Sequence, residues 1–251
     1  LLQDLKSSTK AYAYPILKDG EIDLAVEVRK AGLGLLGNLK GDSKAVACIE
    51  DTSVAIKDLP HYISDFSKIM TSYSQKAVYY AHAGAGELHL RPILNLKTSQ
   101  GVEEFKSIST DVAHLVKSYE CALSGEHGDG RVRAPFTELV VGVECYKIFQ
   151  EIKLLFDPQN IFNPGKIVNP KPIDSDLRYE IDRKEPEIST NMDFSKNLGI
   201  LRAAEQCNGS GDCRKSHEFE GGMCPSYQAT KNEKDTTRAR ANLLREVLTE
   251  K

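Results

Sequence analysis

The sequence has no long apolar run, and its charges are nearly balanced. Its longest apolar stretches are short, such as LVVGV at 139–143, whereas a membrane-spanning helix needs roughly 20 apolar residues. The formal net charge is −3, so no basic excess is available for nucleic acid or an anionic membrane surface. We therefore expect neither a transmembrane segment nor a nucleic-acid partner. The 251 residues suffice for one large domain, or for one domain with a smaller appendage.

An export signal is also missing. The sequence begins with LLQDLKSSTK, which has neither an initiator methionine nor the basic and then apolar pattern of a signal peptide. It ends in LREVLTEK, in the middle of a predicted helix. We interpret the sequence as a fragment of a longer, cytoplasmic protein.

The six cysteines form two groups. Cys48, Cys121 and Cys145 are scattered among apolar neighbours, which predicts buried, reduced thiols. The other three cluster near the carboxyl terminus. A disulfide framework is disfavoured, because the chain is large and lacks export signals.

Hydrophobic periodicity predicts an α+β fold. The expected order is β-α-β-β-α-β, the ferredoxin-like split βαβ arrangement of an antiparallel sheet with helices on one face. Its predicted strands are 45–54, 76–82, 88–94 and 119–124, and its predicted helices are 58–73 and 101–119. Two further helices are expected at 134–141 and 143–156.

Composition changes after NPGKIVNP at 163–170. We predict a first domain over residues 1–170, whose first forty residues are helical or irregular, and a polar linker over 171–196. A small cysteine-containing segment, irregular and helical, is expected over 197–251, with a charged helix from about residue 232.

Two glycine-rich blocks carry the chemistry. HAGAGELH places His82 and His89 on either side of a predicted hairpin turn, and SGEHGDG places Glu126 and His127 at the end of the last predicted strand. In a split βαβ sheet this strand end lies close to the central hairpin. Two imidazoles and one carboxylate are a ligand set typical of zinc or a similar divalent ion. A single histidine is more often an ordinary polar residue, so the prediction depends on the two blocks converging.

HAGAGELH, SGEHGDG and FDPQNIFNPGKI (156–167) together resemble the carboxyl-terminal half of the FAD-linked oxidases. This is the branch that contains D-lactate, glycolate and D-2-hydroxyglutarate dehydrogenases. The resemblance covers residues 20 to 170 and implies an amino-terminal FAD-binding domain in the same polypeptide. The glycine-rich phosphate loops of such a domain are missing here, which agrees with a fragment.

The resemblance also implies roles for individual residues. His82, His89 and Glu126 would bind the metal, and His127 would be the base that removes the proton of the substrate hydroxyl while hydride passes to the flavin. A neutral imidazole can accept this proton near pH 7.

Cations should surround an anionic substrate. Arg29, in EVRKAG, matches an arginine that clamps the substrate carboxylate in relatives, and Lys44 falls near a second cation. Arg91 should share a strand face with His89 and replaces an asparagine of many relatives. The extra guanidinium indicates a second substrate carboxylate, as in 2-hydroxyglutarate. Each of the three could equally be an ordinary solvated charge.

The hairpin departs from the family pattern HxGDGNxH, because Ala85 and Glu87 replace aspartate and asparagine. This leaves the ligand positions untouched. Asn163 and Lys166, in NPGK, are candidate FAD contacts, and the alternative there is a plain proline–glycine turn.

The segment CNGSGDCRKSHEFEGGMCPSY resembles the junction at which a flavin dehydrogenase continues into a ferredoxin-type module. Cys207, Cys213 and Cys224 would be thiolate ligands of an iron–sulfur cluster, expected to be 4Fe-4S. The spacing, C-x5-C-x10-C-P, differs from the bacterial ferredoxin pattern, and a fourth ligand would lie beyond the sequence. A structural zinc site that uses His217 is the alternative.

The resemblance thus implies a flavin enzyme that oxidises a D-2-hydroxy acid, D-2-hydroxyglutarate or D-lactate, and passes electrons through an iron–sulfur module to an unknown acceptor. Two alternatives remain open at this point. One is a zinc hydrolase with Glu87 or His127 as base, and the other is a non-catalytic electron-transfer or scaffold subunit.

Overall fold

The computed structural model describes residues 2–216 and 222–249. The chain splits into two compact units, Leu1–Asn38 and Leu39–Lys251. The first unit contains helix α1 (Leu2–Ser8) and helix α2 (Gly20–Gly37), separated by an irregular stretch.

The second unit is built on a four-stranded antiparallel sheet whose central strand is β4 (Glu87–Leu94). Strand β3 (Ala77–His82) pairs along one edge of β4, and β1 (Lys44–Ala45) and β2 (Thr52–Ser53) pair with opposite ends of its other edge. The predicted strand over 45–54 is therefore wrong in its middle. Turns separate the two short strands, and Asp51 has a φ of 76° that a regular strand does not allow.

The strand predicted over 119–124 is also wrong. A single bridge joins Ala122 to Ser53, and no regular strand forms in that stretch. The preceding helix explains why, since the amides of Tyr119 and Cys121 still donate to helix carbonyls and Glu120 has a φ of 54°. Amides used to end a helix cannot also form a ladder. The α+β class is confirmed, and the split βαβ detail stays a prediction.

Helices α3 (Leu59–Ser72) and α4 (Ser99–Ser118) pack against the sheet, close to their predicted positions. Strand alternation sends Leu88 and Leu90 into the core, where they join Phe66 and Ile108. The opposite face of β4 therefore carries Glu87, His89 and Arg91. Strand β4 therefore has one apolar face that packs in the core and one face of charged and titratable side chains.

Helices α5 (Thr137–Val141) and α6 (Val143–Phe156) follow as predicted. Of the α6 side chains only Tyr146 is buried, and Ile152 and Phe156 are 50% and 78% exposed. Cys145 also lies on this exposed side, so its predicted burial is wrong. Cys48 is buried as predicted, and Cys121 is half-buried.

Residues 157–194 contain no helix or strand. The described residues after 194 contain the α-helices α7 (Ile200–Glu205), α8 (Pro225–Thr230) and α9 (Thr237–Leu248). The final helix begins later than predicted, because the Thr236 side chain accepts a hydrogen bond from the Ala239 amide and caps it there. Throughout residues 2–216 and 222–249, no helix has the length and apolar content to cross a membrane.

Candidate active site

The β3–β4 hairpin brings the two predicted histidines together. Its register pairs His82 with Glu87 and Tyr80 with His89, so these four side chains lie on one face of the sheet. The ring centroids of His82 and His89 are 5.3 Å apart. Gly86 closes the turn with a φ of 74°, and a Cβ on it would lie 2.0 Å from the Val54 carbonyl oxygen. Only glycine fits there.

The loop with the second predicted block reaches the same place. The Glu126 carboxylate Oε1 lies 4.0 Å from His82 Nε2 and 3.8 Å from His89 Nε2. Glu87 Oε1 is 3.7 Å from the same His89 nitrogen. One ligand atom from each of these four residues lies within 4.8 Å of those of the other three. Two distant stretches of sequence therefore converge on one point.

This group fits a divalent metal. Two imidazole nitrogens and carboxylate oxygens are donors that zinc accepts. Glu87 Oε1 is buried and has no hydrogen-bond partner among the described residues, and a cation would offset this desolvation. Sequence reasoning did not name Glu87 as a candidate ligand. The substitution of Glu87 for the asparagine of the family pattern was the signal that could have shown it.

Glu50 lies behind His89 and was missed entirely from the sequence. Its Oε1 is 3.5 Å from His89 Nδ1, and its other oxygen pairs with the Arg91 guanidinium. At 3.5 Å this is a close polar contact and not a hydrogen bond, because His89 Nδ1 has no hydrogen-bond partner among the described residues. Nε2 of His89 faces Glu87 and Glu126 on the other side of the ring.

Asp51 lies below the loop and was also missed. Its carboxylate accepts hydrogen bonds from the amides of Glu126 and His127, and from the Ser124 hydroxyl. Nothing in the short strand segment around Asp51 signals this role, because its partners are more than 70 residues away in sequence.

Burial and neighbouring charges shift the pKa values in this site. Burial raises the pKa of Asp51, but hydrogen bonds from Ser124, Glu87 and two amides outweigh it and bring the pKa to about 2. Burial and the Asp51 and Glu126 carboxyl groups raise the pKa of Glu87 to about 7. Burial also lowers the pKa of His89, which favours the neutral imidazole that a metal requires.

His82, Glu87, His89 and Glu126 are called the ligand group below. His127, the predicted base, lies beside it. Its Nε2 is 3.0 Å from Glu126 Oε1, and its Nδ1 is 3.8 Å from Asp51 Oδ2. The ring stacks on His89 with a centroid distance of 5.5 Å. Its side chain is half exposed, so a substrate in the open part of the site can contact it.

The three predicted cations lie in different places. Arg91 is on the site face but is paired with Glu50 and stacked on Tyr80. Lys44 pairs with the far end of β4 at Leu94, about 17 Å along the strand from His89, and donates to the Leu39 carbonyl. Arg29 lies on α2 in the first unit. The structure thus brings Arg91, but not Lys44, to the ligand group.

An apolar groove of about 700 Å³ begins beside His127. Phe149, Phe156 and Phe162 line it, together with the predicted cofactor contacts Asn163 and Lys166. Lys166 donates to the Asn163 side chain across 3.0 Å, and Asn163 has a φ of 49°. The site is therefore continuous with an apolar surface.

The cysteines of the last segment do not form a comparable group. Cys213 and Cys224 are buried, and Cys207 is half-buried. In the described part of the chain, no group of three or more metal-ligand atoms includes any of them. His217, the alternative ligand, lies outside the described residues.

Comparison with known proteins identifies the family of the chain. Residues 13–167 match the family "FAD linked oxidases, C-terminal domain". The chain belongs to the FAD-linked oxidase family. The resemblance predicted from the three motifs is thereby confirmed.

Relatives within the FAD-linked oxidases include D-2-hydroxyglutarate dehydrogenase of Haemophilus influenzae, 37% identical over 90% of this chain and 22% of the relative. The enzyme of the same name from Escherichia coli is 36% identical over 88% of this chain and 21% of the relative. D-lactate dehydrogenase of Archaeoglobus fulgidus is 32% identical over 51% of this chain and 28% of the relative. The chain thus spans about a fifth of the length of the first two relatives, and similarity to them continues past residue 167.

Proposed function

We propose that this chain supplies the metal and substrate site of a flavin-dependent dehydrogenase that oxidises a D-2-hydroxy acid, D-2-hydroxyglutarate, to the 2-oxo acid. The convergence of His82, His89 and Glu126 beside His127 carries the proposal. The D-2-hydroxyglutarate dehydrogenases that match nearly the whole chain support this substrate over D-lactate.

The residues divide the work between binding and proton transfer. His82, Glu87, His89 and Glu126 would hold a divalent metal, zinc, which would polarise the substrate hydroxyl when bound. His127 would accept the hydroxyl proton, and a flavin bound beside it would supply the hydride acceptor for the α-carbon. The carboxylates of Asp51 and Glu126 lie within 3.8 Å and 3.0 Å of its two nitrogens and stabilise the imidazolium that results.

The apolar groove supports a flavin next to His127. Aromatic side chains line it, while Asn163 and Lys166 supply polar groups at its edge. Flavin rings bind to sites of this kind, which are mostly apolar with a few polar groups. We propose that the FAD-binding domain of the full-length polypeptide presents the flavin here, with Asn163 and Lys166 as contacts.

Arg91 is the candidate for the distal carboxylate of a diacid. Its pairing with Glu50 means that a substrate carboxylate would have to share the guanidinium, which has five donors and can serve two carboxylates. Arg29 stays the proposed clamp for the carboxylate beside the hydroxyl group. Lys44 is the weaker candidate, because it lies at the far end of β4.

Two proposals concern organisation. The pairing order Ala122, β2, β4, β3 supports the split βαβ arrangement of the sheet.

We also propose that residues 197–251 begin an iron–sulfur module after a linker over 171–196, with Cys207, Cys213 and Cys224 as ligands. Two of these thiols are buried, as cluster ligands usually are.

The full-length protein tests the function directly. We expect it to contain flavin and zinc, and to oxidise D-2-hydroxyglutarate with a dye as acceptor. His82→Ala should lose zinc and activity, whereas His114→Ala, on the exposed side of α4, should keep both. A protein without flavin would favour the hydrolase alternative, and unchanged activity in His82→Ala would contradict the proposed site.

Arg91→Ala separates the two candidate substrates. We expect KM for D-2-hydroxyglutarate to rise at least tenfold, with a smaller change for D-lactate, because only the diacid has a distal carboxylate. Equal effects on both substrates would mean that Arg91 acts through Glu50 and not on the substrate.

A further inference from the structure

Asp51 connects the two halves of the ligand group. Its backbone amide donates to the Leu88 carbonyl across 2.8 Å, and Leu88 lies between Glu87 and His89. Its own carbonyl accepts from the Gly125 amide at 2.7 Å. The same residue is therefore attached to the hairpin on one side and to the loop on the other.

The Asp51 side chain then fixes the loop residues that carry chemistry. The Glu126 amide donates to both oxygens, at 3.0 Å to Oδ1 and 3.2 Å to Oδ2. Oδ2 also accepts from the His127 amide at 2.8 Å and from the Ser124 hydroxyl. The side chain is completely buried, so no water competes for these donors. Charge-assisted hydrogen bonds to a buried carboxylate are among the stronger ones in proteins.

The backbone of Asp51 restricts which residues can replace it. Its φ of 76° lies in the left-handed region, which aspartate, asparagine and glycine tolerate better than other residues. Packing leaves little room nearby, since a Cβ on Gly125 would lie 3.0 Å from the Ser53 Cβ. Loop and strand are thus held in close contact at this point.

From these contacts we infer that Asp51 is a positioning residue, which sets the position of Glu126 and His127 relative to His89 by hydrogen bonding their backbone amides. The inference rests on the proposed function, because those residues are ligand and base there. Asp51 itself acts through the loop and does not contact the substrate.

Two substitutions separate the parts of this role. Asp51→Gly removes the side chain but keeps a backbone that accepts positive φ. In Asp51→Asn the single oxygen should turn to the Oδ2 position, where the Ser124 hydroxyl, the His127 amide at 2.8 Å and the Glu126 amide at 3.2 Å meet. The NH₂ group then replaces only the 3.0 Å acceptor of the Glu126 amide. Ser124→Ala is the control, since it removes one donor and leaves both amide bonds in place.

Hydrogen exchange in the full-length, metal-free protein measures the amides individually. We expect Asp51→Gly to speed exchange of the Glu126 and His127 amides by about 10-fold to 100-fold, and Asp51→Asn to speed mainly the Glu126 amide. Exchange within α4 should stay unchanged. Wild-type exchange at both amides in Asp51→Gly would overturn the inference, and so would equal acceleration throughout α4. If Asp51→Gly does not fold, the Asp51→Asn pattern decides.

Zinc affinity, measured by competition with a chromophoric chelator, gives the second readout. We expect the dissociation constant to rise about 10-fold to 100-fold in Asp51→Gly, and less than threefold in Ser124→Ala. An unchanged constant in Asp51→Gly would contradict the inference. If the wild-type protein bound no zinc, the proposed function would fail, while the amide exchange would still test Asp51.

Discussion

Gly86 shows how a single residue fixes the site. It is the left-handed residue of the β3–β4 turn, and its carbonyl accepts from the Val54 amide at 2.8 Å. A methyl group there would meet the Val54 carbonyl oxygen at 2.0 Å, so the hairpin and the preceding loop would have to separate. The turn cannot relax without moving His82 and Glu87, which flank it.

We therefore expect Gly86→Ala to weaken zinc binding by at least tenfold and to destabilise the protein by about 1–3 kcal/mol, from strain and the backbone clash. Zinc titration and chemical denaturation measure the two effects. Gly84→Ala is the matched control, because a Cβ at Gly84 meets nothing within 4 Å. Equal losses in both variants would refute this account of the turn.

Glu50 gives a second prediction at this scale. Glu50→Gln keeps the shape but removes the charge that lies between His89 and Arg91. We expect zinc affinity to fall about 10-fold to 100-fold, as for other residues that orient metal-binding histidines. Glu120→Gln, on an exposed residue, should leave the affinity unchanged. An unaltered affinity in Glu50→Gln would show that His89 needs no such support.

The sequence was sufficient to predict that His82, His89, Glu126 and His127 converge, because each lies in a glycine-rich block with a recognisable pattern. Glu50 and Asp51 could not be predicted. Their roles come from contacts with residues at least 36 positions away, such as Glu87, His89 and Glu126, and a single sequence does not display such pairs. The candidate ligands were therefore predictable from the sequence, and the buried acidic residues beside them were not.

At the scale of elements, α4 contributes a long buried face to the core. Its buried face carries apolar residues at helical spacing: Val102, Phe105, Ile108, Val112 and Val116. This long period made α3 and α4 predictable to within a few residues. The short strands were harder, since turns at 46–51 and the helix end at 119–121 override their β-branched and apolar composition.

Ile108 is completely buried between α4 and the sheet. Ile108→Ala should destabilise the protein by about 2–5 kcal/mol, because it removes buried methyl groups and leaves a cavity. Glu103→Ala on the exposed side of the same helix removes only a surface ion pair with Lys106 at 3.6 Å and should cost below about 1 kcal/mol. Urea denaturation compares them, and similar costs would contradict the assignment of the buried face.

At the scale of the whole second unit, Lys97 joins segments that are far apart in sequence. Its ammonium lies 3.0 Å from Asp42, 2.9 Å from Glu185 and 2.8 Å from Glu205, and only 10% of its side chain is exposed. Arg202, on α7, forms two hydrogen bonds to the same Asp42 carboxylate. Through Glu185 the network attaches the irregular segment 157–194 to the loop after β4. Through Glu205 and Arg202 it also attaches α7, which leads into Cys207.

This network could not be predicted, because its charges come from four separated stretches of an ordinarily charged sequence. The pH range in which the network stabilises the fold follows from the pKa shifts of two of its members. Burial raises the pKa of Asp42, but Arg202 and Lys97 outweigh it and lower the pKa below the ordinary value of about 3.9. Burial lowers the pKa of Lys97, but Glu205, Glu185 and Asp42 outweigh it and raise the pKa above about 10.4.

The sign of each shift sets where the network stabilises the fold. The Asp42 contribution is complete above about pH 4 and is lost as the pH falls through its lowered pKa. The Lys97 contribution is complete below about pH 10 and is lost as the pH rises through its raised pKa. Attachment of α7 should therefore persist across the neutral range and weaken first in acid.

Lys97→Met tests this attachment at pH 7. It leaves three carboxylates facing one another, of which Glu205 is buried and the other two are half-buried, and removing one partner of a buried ion pair typically costs about 3–5 kcal/mol. We expect limited proteolysis to cut faster within 171–196, while zinc binding at the distant hairpin stays the same. Lys106→Met is the control, because its pair with Asp174 at 3.4 Å is exposed. If both variants were cut at the wild-type rate, the attachment would depend on apolar packing of α7 and α9 instead, and wild-type protein at about pH 3 should then resist cleavage as well.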